Sequence, residues 1–479
     1  MTSIDHAPWP SPTGVGAALD DVLCSVEPHR PRPPLTYLRR KPGRGLVAVY
    51  GTAKAPRDMY TVTVEESAVA SDLVEPGRMP HHPVLDEVPE LVEIPPLGLT
   101  IQRFPHDERL PSLAAAVTPY EHLQLREALE QAATELLGHS PGTLRLLSAD
   151  AIPLRYKPGD RCVLRYRLRL QSATSATGAE GLVQVGVIGK LYREPEQAHA
   201  AAELMTRLVG AQGRRPWTAR PLAVVDALAL VLSEDLGSDR DDPPTLVGTN
   251  VIRGGTTQPT QALRAAAQAL AELHTSDTLT AETPARTGED EAGKAAKRAS
   301  TITGYVPTLT AETERVASRL CAMLSALPQD VLRPAHGSYK SSQLLFRAGS
   351  VHLVDFDQFC RADPALDVGY FLAYLRPPGL WYHRAGTRAW FARAADTFLT
   401  AYDEHLAERG VDAPTRAGVL RRCHVYEAAL LLKIAARRPN RLHSPRPGEV
   451  RALLAEVTSC LDAAEMLPPV SGEPVLRST

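Results

Sequence analysis

The stretch HGSYKSSQLLFRAGSVHLVDFD, residues 336–357, constrains this chain more than any other. A glycine turn leads into a polar run, and a mostly apolar strand then ends on Asp355, with Asp357 just beyond. A carboxylate at a strand end is placed to ligate Mg2+, and the amide oxygen of Gln343 can serve the same metal. Asp357 is either a second metal candidate or a solvated turn residue.

Around this stretch the chain divides by pattern. Residues 1–33 are rich in proline and polar residues, and a loose tail is expected there. PLTYLRRKPGRGLVAVYGT (34–52) and PLRYKPGDRCVLRYRLRL (153–170) share a layout: an apolar-basic strand, Lys-Pro-Gly, a basic residue and an alternating strand. Pro-Gly marks a turn and the flanking alternation suits a β-hairpin. The two read as copies of one hairpin unit separated by a helix over 118–138; a chance match of two basic hairpins is the other reading. After the second copy come a flexible loop (172–181), a β-prone run (182–192) and a helix (194–210) with Ala198, Ala201, Leu204, Met205 and Leu208 at helical spacing. ARPLAVVDALALVLSEDLG (219–237) supplies two more strands. Beyond residue 240 the patterns turn helical, over 260–274, 309–327, 384–408, 413–438 and 447–465. The polar run 275–300 reads as an exposed insertion. The expected class is α+β, with an accessory α/β segment (34–150), a β-rich lobe (151–240) and an α-rich lobe (241–479).

Composition narrows the partners. The formal net charge is −2, so no global pull toward nucleic acid is expected and any phosphate site must come from local basic residues. The six cysteines form no CxxC pair, which suggests neither a zinc site nor a disulfide framework. The N-terminus lacks the basic and apolar regions of a signal peptide. LAVVDALALVL (222–232) is too short to span a bilayer and is broken by Asp226. A cytoplasmic location without membrane or nucleic-acid partners is expected.

Further features suit phosphoryl transfer, which needs phosphates held, their charge neutralised and an acceptor aligned. Lys190, in a strand, can reach the α and β phosphates of ATP; an ordinary exposed strand lysine is the alternative. Glu203, on the following helix, can fix that lysine, although Glu194 and Glu196 lie nearby. The polar hinge Ser233-Glu234-Asp235 can bond the adenine edge through its backbone. Lys157 and Arg161 either touch phosphate from the KPGDR turn or are solvated tip residues. Trp390, Phe391, Phe398 and Tyr402 recur at helical spacing and read as core.

Together these pieces resemble the aminoglycoside phosphotransferase and choline kinase-like family, relatives of the protein kinases, over residues 150–410. The family pattern is His-Gly-Asp, four residues, Asn, a strand ending in Ile-Asp-Trp/Phe-Glu/Asp, then Asp-Pro-Ala-x-Asp. Here it reads His336-Gly337-Ser338, Gln343, Val354-Asp355-Phe356-Asp357 and Asp363-Pro364-Ala365-Leu366-Asp367; ALAELH (269–274) is similar to the helix preceding the catalytic region. The resemblance implies a bilobal protein-kinase-like fold, ATP and Mg2+ as cofactors, and a hydroxyl-bearing small molecule or peptide as acceptor. It also implies catalytic-loop roles for His336, Ser338 and Lys340. His336 is expected to brace the loop by hydrogen bonding, as is Asp367, and Asp363 to cap the next helix. Lys340 stands where protein kinases often carry a lysine that meets the γ-phosphate.

Two departures stand out. Gln343 replaces Asn and keeps an amide oxygen. Ser338 replaces the Asp that orients or accepts the acceptor proton, and a serine hydroxyl cannot act as that base near neutral pH. Residual transfer through positioning and Mg2+ is one expectation; a pseudokinase that binds nucleotide as a scaffold or regulator is the other. The helices over 384–438 are basic, which argues against an aminoglycoside acceptor and toward a neutral or anionic one, or a peptide.

Overall fold

The structure is a computed structural model and describes residues 16, 19–20, 22–24, 31–41, 45–65, 90–95, 98–172, 181–211, 218–237, 245–253, 259–328, 332–347, 350–377, 380–381, 383–438 and 447–467. The first hairpin's turn (42–44) and the interior of the loop expected over 172–181 lie outside these residues. The chain falls into two compact units. Among the described residues, one comprises those through Leu204 together with Arg220–Asp235; the other comprises Met205–Ala219 and those from Leu236 onward.

The first unit holds two antiparallel five-stranded sheets. The first contains β1 (Leu35–Lys41), β2 (Gly45–Tyr50), β3 (Tyr60–Val64), β4 (Leu91–Ile94) and β5 (Leu99–Arg103), in the order β1-β2-β3-β5-β4. Two helices follow, α1 (Leu113–Val117) and α2 (Leu123–Leu136). The second sheet contains β6 (Leu144–Lys157), β7 (Arg161–Ser172), β8 (Leu182–Leu191), β9 (Pro221–Val225) and β10 (Leu230–Glu234), in the order β6-β7-β8-β10-β9. Helix α3 (Pro195–Gly210) lies between β8 and β9 in sequence. The two sheets therefore share one connectivity, so the similarity seen in the hairpins extends to all five strands. Strand β6 begins ahead of the 150/151 boundary expected from sequence.

The tail expected over 1–33 is not loose throughout. Leu19, Val22 and Leu23 are helical, fully buried, and pack with Leu46, Tyr60 and Ile101 of the first sheet. Apolar residues at this spacing gain by burial what isolated helix propensity does not supply. A second core joins the two sheets through Val49, Met59, Phe104, Leu125, Leu129, Leu164, Tyr166 and Leu230.

The second unit contains β11 (Leu246–Val247), α4 (Gly248–Arg253), α5 (Pro259–His274), β12 (Ala285–Arg286), α6 (Gly288–Tyr305) and α7 (Thr310–Ser325). Then come β13 (Arg333–Ala335), β14 (Leu344–Arg347), β15 (Ser350–Leu353), β16 (Cys360–Ala362), α8 (Ala365–Leu375), α9 (Thr387–Glu408), α10 (Ala413–Arg437) and α11 (Pro447–Met466). The exposed insertion expected over 275–300 is corrected here: most of its second half is helix α6, which buries Glu291, Ala292, Ala295 and Ala299. Its start is fixed by a reciprocal capping box between Thr287 and Asp290. Among the described residues no helix is long and apolar enough to cross a membrane.

Two small sheets present the conspicuous loop. In one, β13 pairs antiparallel with β16, which also receives β12 in parallel register. In the other, β14 and β15 form a hairpin with Leu344 opposite Leu353. His336 thus follows one sheet strand, and Gln343 and Asp355 flank the hairpin.

Candidate active site

Residues 336–343 are held from below by a buried polar anchor. Asp367, near the start of α8, accepts the backbone amide of His336 at 2.6 Å and that of Tyr339 at 3.4 Å. His274, at the end of α5, lies 3.4 Å from the same carboxylate through Nε2 and 2.6 Å from the Tyr402 hydroxyl through Nδ1. Burial pushes the Asp367 carboxyl up, but the His274 bond and charge outweigh it and hold Asp367 below the usual carboxylate range. Tyr339 donates to the Ala266 carbonyl at 2.7 Å, fixing the loop to α5. Gly337 has φ 72, and a Cβ there would stand 1.9 Å from the Gln358 carbonyl oxygen, so only glycine fits.

The anchor has a measurable pH signature. A carboxyl with a depressed folded value stabilises the fold above its ordinary range, and that contribution is lost as pH falls through the folded value. Burial also depresses His336, so protonating it in the native state adds a penalty on the acid side. Asp367→Asn is expected to cost about 3–5 kcal/mol near neutrality and to flatten the acid limb of a Tm-versus-pH profile. An unchanged acid limb would show that Asp367 is not the anchor.

Above the anchor runs a chain of hydrogen bonds. The Val354 carbonyl can only accept, so His336 donates to it from Nε2 at 3.2 Å and keeps Nδ1 as an acceptor. The Ser338 hydroxyl lies 3.4 Å from that Nδ1 and accepts from Gln343 Nε2 at 3.1 Å. Gln343 Nε2 also donates to Asp355 Oδ2 at 3.2 Å. Ser338 is therefore integrated into the network, in which the His336 ring is bonded to Val354.

The residues suit a divalent cation. Gln343 is 3 % exposed, and its Oε1 has no hydrogen-bond partner. A buried amide oxygen without a donor, in a side chain bonded to an aspartate, matches what an oxygen-seeking cation requires. Asp355 has φ 71, a left-handed conformation that costs a non-glycine residue on the order of 1–3 kcal/mol and tends to occur at functional sites. Among the described residues no group of three or more His, Cys, Asp or Glu side chains is arranged for a metal; of the expected ligands, Gln343 and Asp355 are joined by a hydrogen bond.

The other expected residues lie in the first unit. Lys190 is on β8, in register with Val163 of β7 and Val231 of β10, and its Nζ stands 5.2 Å over the Tyr192 ring. Glu203 is exposed on α3. Ser233 is buried at the end of β10, Glu234 follows it, and Asp235 is ion-paired with Arg165 at 2.8 Å. At the KPGDR turn Lys157 pairs with Asp160, next to half-buried Arg161. The Gly159 amide there donates to Asp107 at 2.8 Å, and the Tyr156 hydroxyl donates to the same carboxylate at 2.7 Å. The accessory segment thus braces this hairpin tip, an arrangement the KPGDR motif gives no hint of.

Further residues near the loop went unrecognised in the sequence. Arg286, from β12, donates to the Gly337 carbonyl at 2.7 Å and pairs with Glu291 of α6 at 2.7 Å. Tyr370 and Tyr374, one helical turn apart on α8, stack at 6.0 Å. Lys340 stands 5.6 Å over the Tyr374 ring and Lys433 4.7 Å over the Tyr370 ring. The T-G-E-D capping box before α6 was the available signal for part of this region.

Asp363 accepts the Ala365 amide at 3.0 Å and is paired with buried Arg422 at 2.6 Å, but the N-cap of α8 is Pro364, one residue beyond the expected position. Phe398 and Tyr402 are fully buried, as expected of core residues, whereas Trp390 and Phe391 are half-buried, Phe391 lying 4.3 Å beneath Arg376.

Comparison with known proteins identifies a family. The model of the phosphotransferase enzyme family matches residues 143–414. Among solved structures, a glucosamine kinase is 18% identical with a TM-score of 0.45, covering 95% of this chain and 98% of its own. A choline/ethanolamine kinase family protein from Mesorhizobium loti is 15% identical with a TM-score of 0.39, covering 72% and 95%. An aminoglycoside phosphotransferase from Alicyclobacillus acidocaldarius is 16% identical with a TM-score of 0.39, covering 65% and 92%. No curated protein matches the chain.

Proposed function

Because the chain belongs to the phosphotransferase enzyme family, we propose that it transfers the γ-phosphoryl group of ATP to a hydroxyl of a small molecule or peptide. The observation that supports this best is the buried loop that sets Ser338, Gln343 and Asp355 in one hydrogen-bonded row.

In this reading Lys190 holds the α and β phosphates, Glu203 orients Lys190, and the backbone of Ser233-Glu234-Asp235 receives the adenine edge. Gln343 and Asp355 hold Mg2+, with Asp357 as a further ligand. The metal, when bound, supplies neutralisation of phosphate charge. Lys340 meets the γ-phosphate. Ser338 aligns the acceptor hydroxyl through a hydrogen bond but takes no full proton from it. His336 does not replace the missing base: it is fully buried, burial depresses its affinity for a proton, and its Nε2 is committed to Val354. Phosphoryl transfer passes through a loose transition state, so alignment without a strong base supports a slow reaction.

Thermal denaturation tests the nucleotide half. ATP with Mg2+ at a hundredfold excess over Kd is expected to stabilise the wild type by about 2.7 kcal/mol. Lys190→Ala is expected to weaken ATP binding by roughly tenfold or more, the loss of a charged hydrogen bond. An ATP response identical in Lys190→Ala and wild type would remove Lys190 from the site. ATP binding without turnover under any acceptor would favour the pseudokinase reading over the catalytic one.

A further inference from the structure

The catalytic loop is flanked by a concentration of positive charge that nucleotide binding leaves unexplained. Its members come from separate elements of the second unit: Arg286 from β12, Arg298 from α6, and Lys433 and Arg437 from α10. Their centre is the stacked pair Tyr370 and Tyr374. Lys433 donates to the Tyr370 hydroxyl, and Arg437 donates to that of Tyr374 at 3.5 Å. The Arg286 guanidinium lies 5.7 Å over the Tyr370 ring. Arg298 reaches the Ala429 carbonyl at 3.1 Å and lies 3.7 Å from Glu291.

Among the described contacts Glu291 is the carboxylate that meets these cations, and it is already shared. Arg286 and Lys294 reach its Oε1 at 2.7 and 2.8 Å. Burial opposes its ionisation, but Arg286, Arg298 and Lys294 together hold it down at about 2. One such anion does not balance the cations around it. Lys433 registers the surplus: burial, reinforced by Arg437, Arg298 and Arg286, lowers its ammonium to about 6, and Glu291 offsets only part of this. A chain that keeps several cations half-buried beside a reactive loop gains from an anion that joins them.

We propose that this tyrosine-centred basic cluster is an anion subsite that receives a phosphate or carboxylate group of the acceptor, so that the substrate class is an anionic hydroxyl compound. The inference rests on the phosphotransferase reading for the word acceptor; the anion subsite itself rests on the side-chain geometry alone. The position is suitable because Arg286 ties the cluster to the carbonyl of Gly337, the residue before Ser338. A polycationic acceptor would meet like charge there.

Calorimetric titration of the full chain with sulfate tests the subsite, because sulfate keeps its charge over the working pH range. Titrations are made with and without a saturating non-hydrolysable ATP analogue and Mg2+, which separates this site from the nucleotide site. Sulfate is expected to bind the analogue-loaded protein. Lys433→Met and Arg437→Gln should each weaken it roughly tenfold or more, with analogue binding unchanged. Lys433→Met removes a lysine whose burial disfavours its ammonium, so its Tm near neutrality should not fall. Sulfate affinity should rise as pH falls toward 6, because binding favours protonated Lys433 among Arg286, Arg298, Arg437, Glu291 and the two tyrosines.

A hydroxycarboxylate and a sugar phosphate titrated in place of sulfate distinguish the two anions; weakening of either by both variants supports the subsite. Sulfate that does not bind, or binds wild type and both variants equally, overturns it. Analogue that fails to bind while the sulfate effects persist would overturn the phosphotransferase reading and support the anion subsite.

Discussion

Ser338→Asp is expected to raise turnover of ATP with a hydroxyl acceptor by about 10²–10⁴-fold, the usual contribution of a positioned general base. The geometry allows the substitution at a cost. Gln343 Nε2, 3.1 Å from the Ser338 hydroxyl, can donate to a carboxylate instead. The Nδ1 lone pair of His336 would lose the hydroxyl that faces it and meet a negative group, and Asp355 lies across the same amide. About 1–3 kcal/mol of stability should be lost, the cost of a buried polar group without its partner. Steady-state kinetics with Mg2+ and ATP check the gain. The KM for ATP should stay close to wild type, because the change falls on the acceptor side. A Ser338→Asp protein that binds ATP and turns over no faster than wild type would mean that proton removal does not limit this chain.

Asp355→Asn is expected to have the opposite effect, lowering any turnover by roughly 10³-fold, or about 4 kcal/mol, if metal-assisted charge stabilisation is lost. Asparagine is the informative replacement for two reasons. It tolerates the left-handed backbone at φ 71 better than other non-glycine residues, and its amide oxygen can still accept from Gln343. The fold should survive while the negative charge goes, which an unchanged Tm without ligands would verify. Turnover indifferent to this substitution would remove Asp355 from the metal site.

What the sequence revealed follows from which interactions are local. The loop motif, the strand ending at Asp355 and the order of strands and helix from β6 to β10 were legible because turn residues and periodicity are local properties. The paired hairpins were visible through their Lys-Pro-Gly turns, but the shared five-strand connectivity was not. Strands β3 to β5 carry no motif repeated in β8 to β10, and strand pairing is a long-range choice. Helix α6 was read as an insertion because its buried face is made of small residues, Ala292, Ala295 and Ala299, around a charged Glu291, so composition disguised a packed helix. The charge of the C-terminal helices was legible, but its destination was not. Arg422 pairs with Asp363 and Arg388 with Glu456, whereas Lys433 and Arg437 join Arg286 and Arg298 from distant parts of the chain. Helical periodicity places a residue on a face and says nothing about which distant arginines share its surroundings.

These distinctions leave Ser338 in a clearer position than the motif alone gave it. The serine is not a gap in the loop. It bridges His336 and Gln343 in a row that ends at Asp355, and the loop beneath it is anchored by Asp367 and His274. The proposed alteration therefore concerns one chemical step, with Gln343 and Asp355 still hydrogen-bonded beside it.

Calorimetric titration of the wild-type chain with ATP, with and without Mg2+, measures whether nucleotide binds and whether a metal joins it. Saturable binding that Mg2+ strengthens is expected, with the Mg2+-dependent increment alone lost in Asp355→Asn. Absence of ATP binding, or binding of equal strength with and without Mg2+ in both proteins, would contradict it.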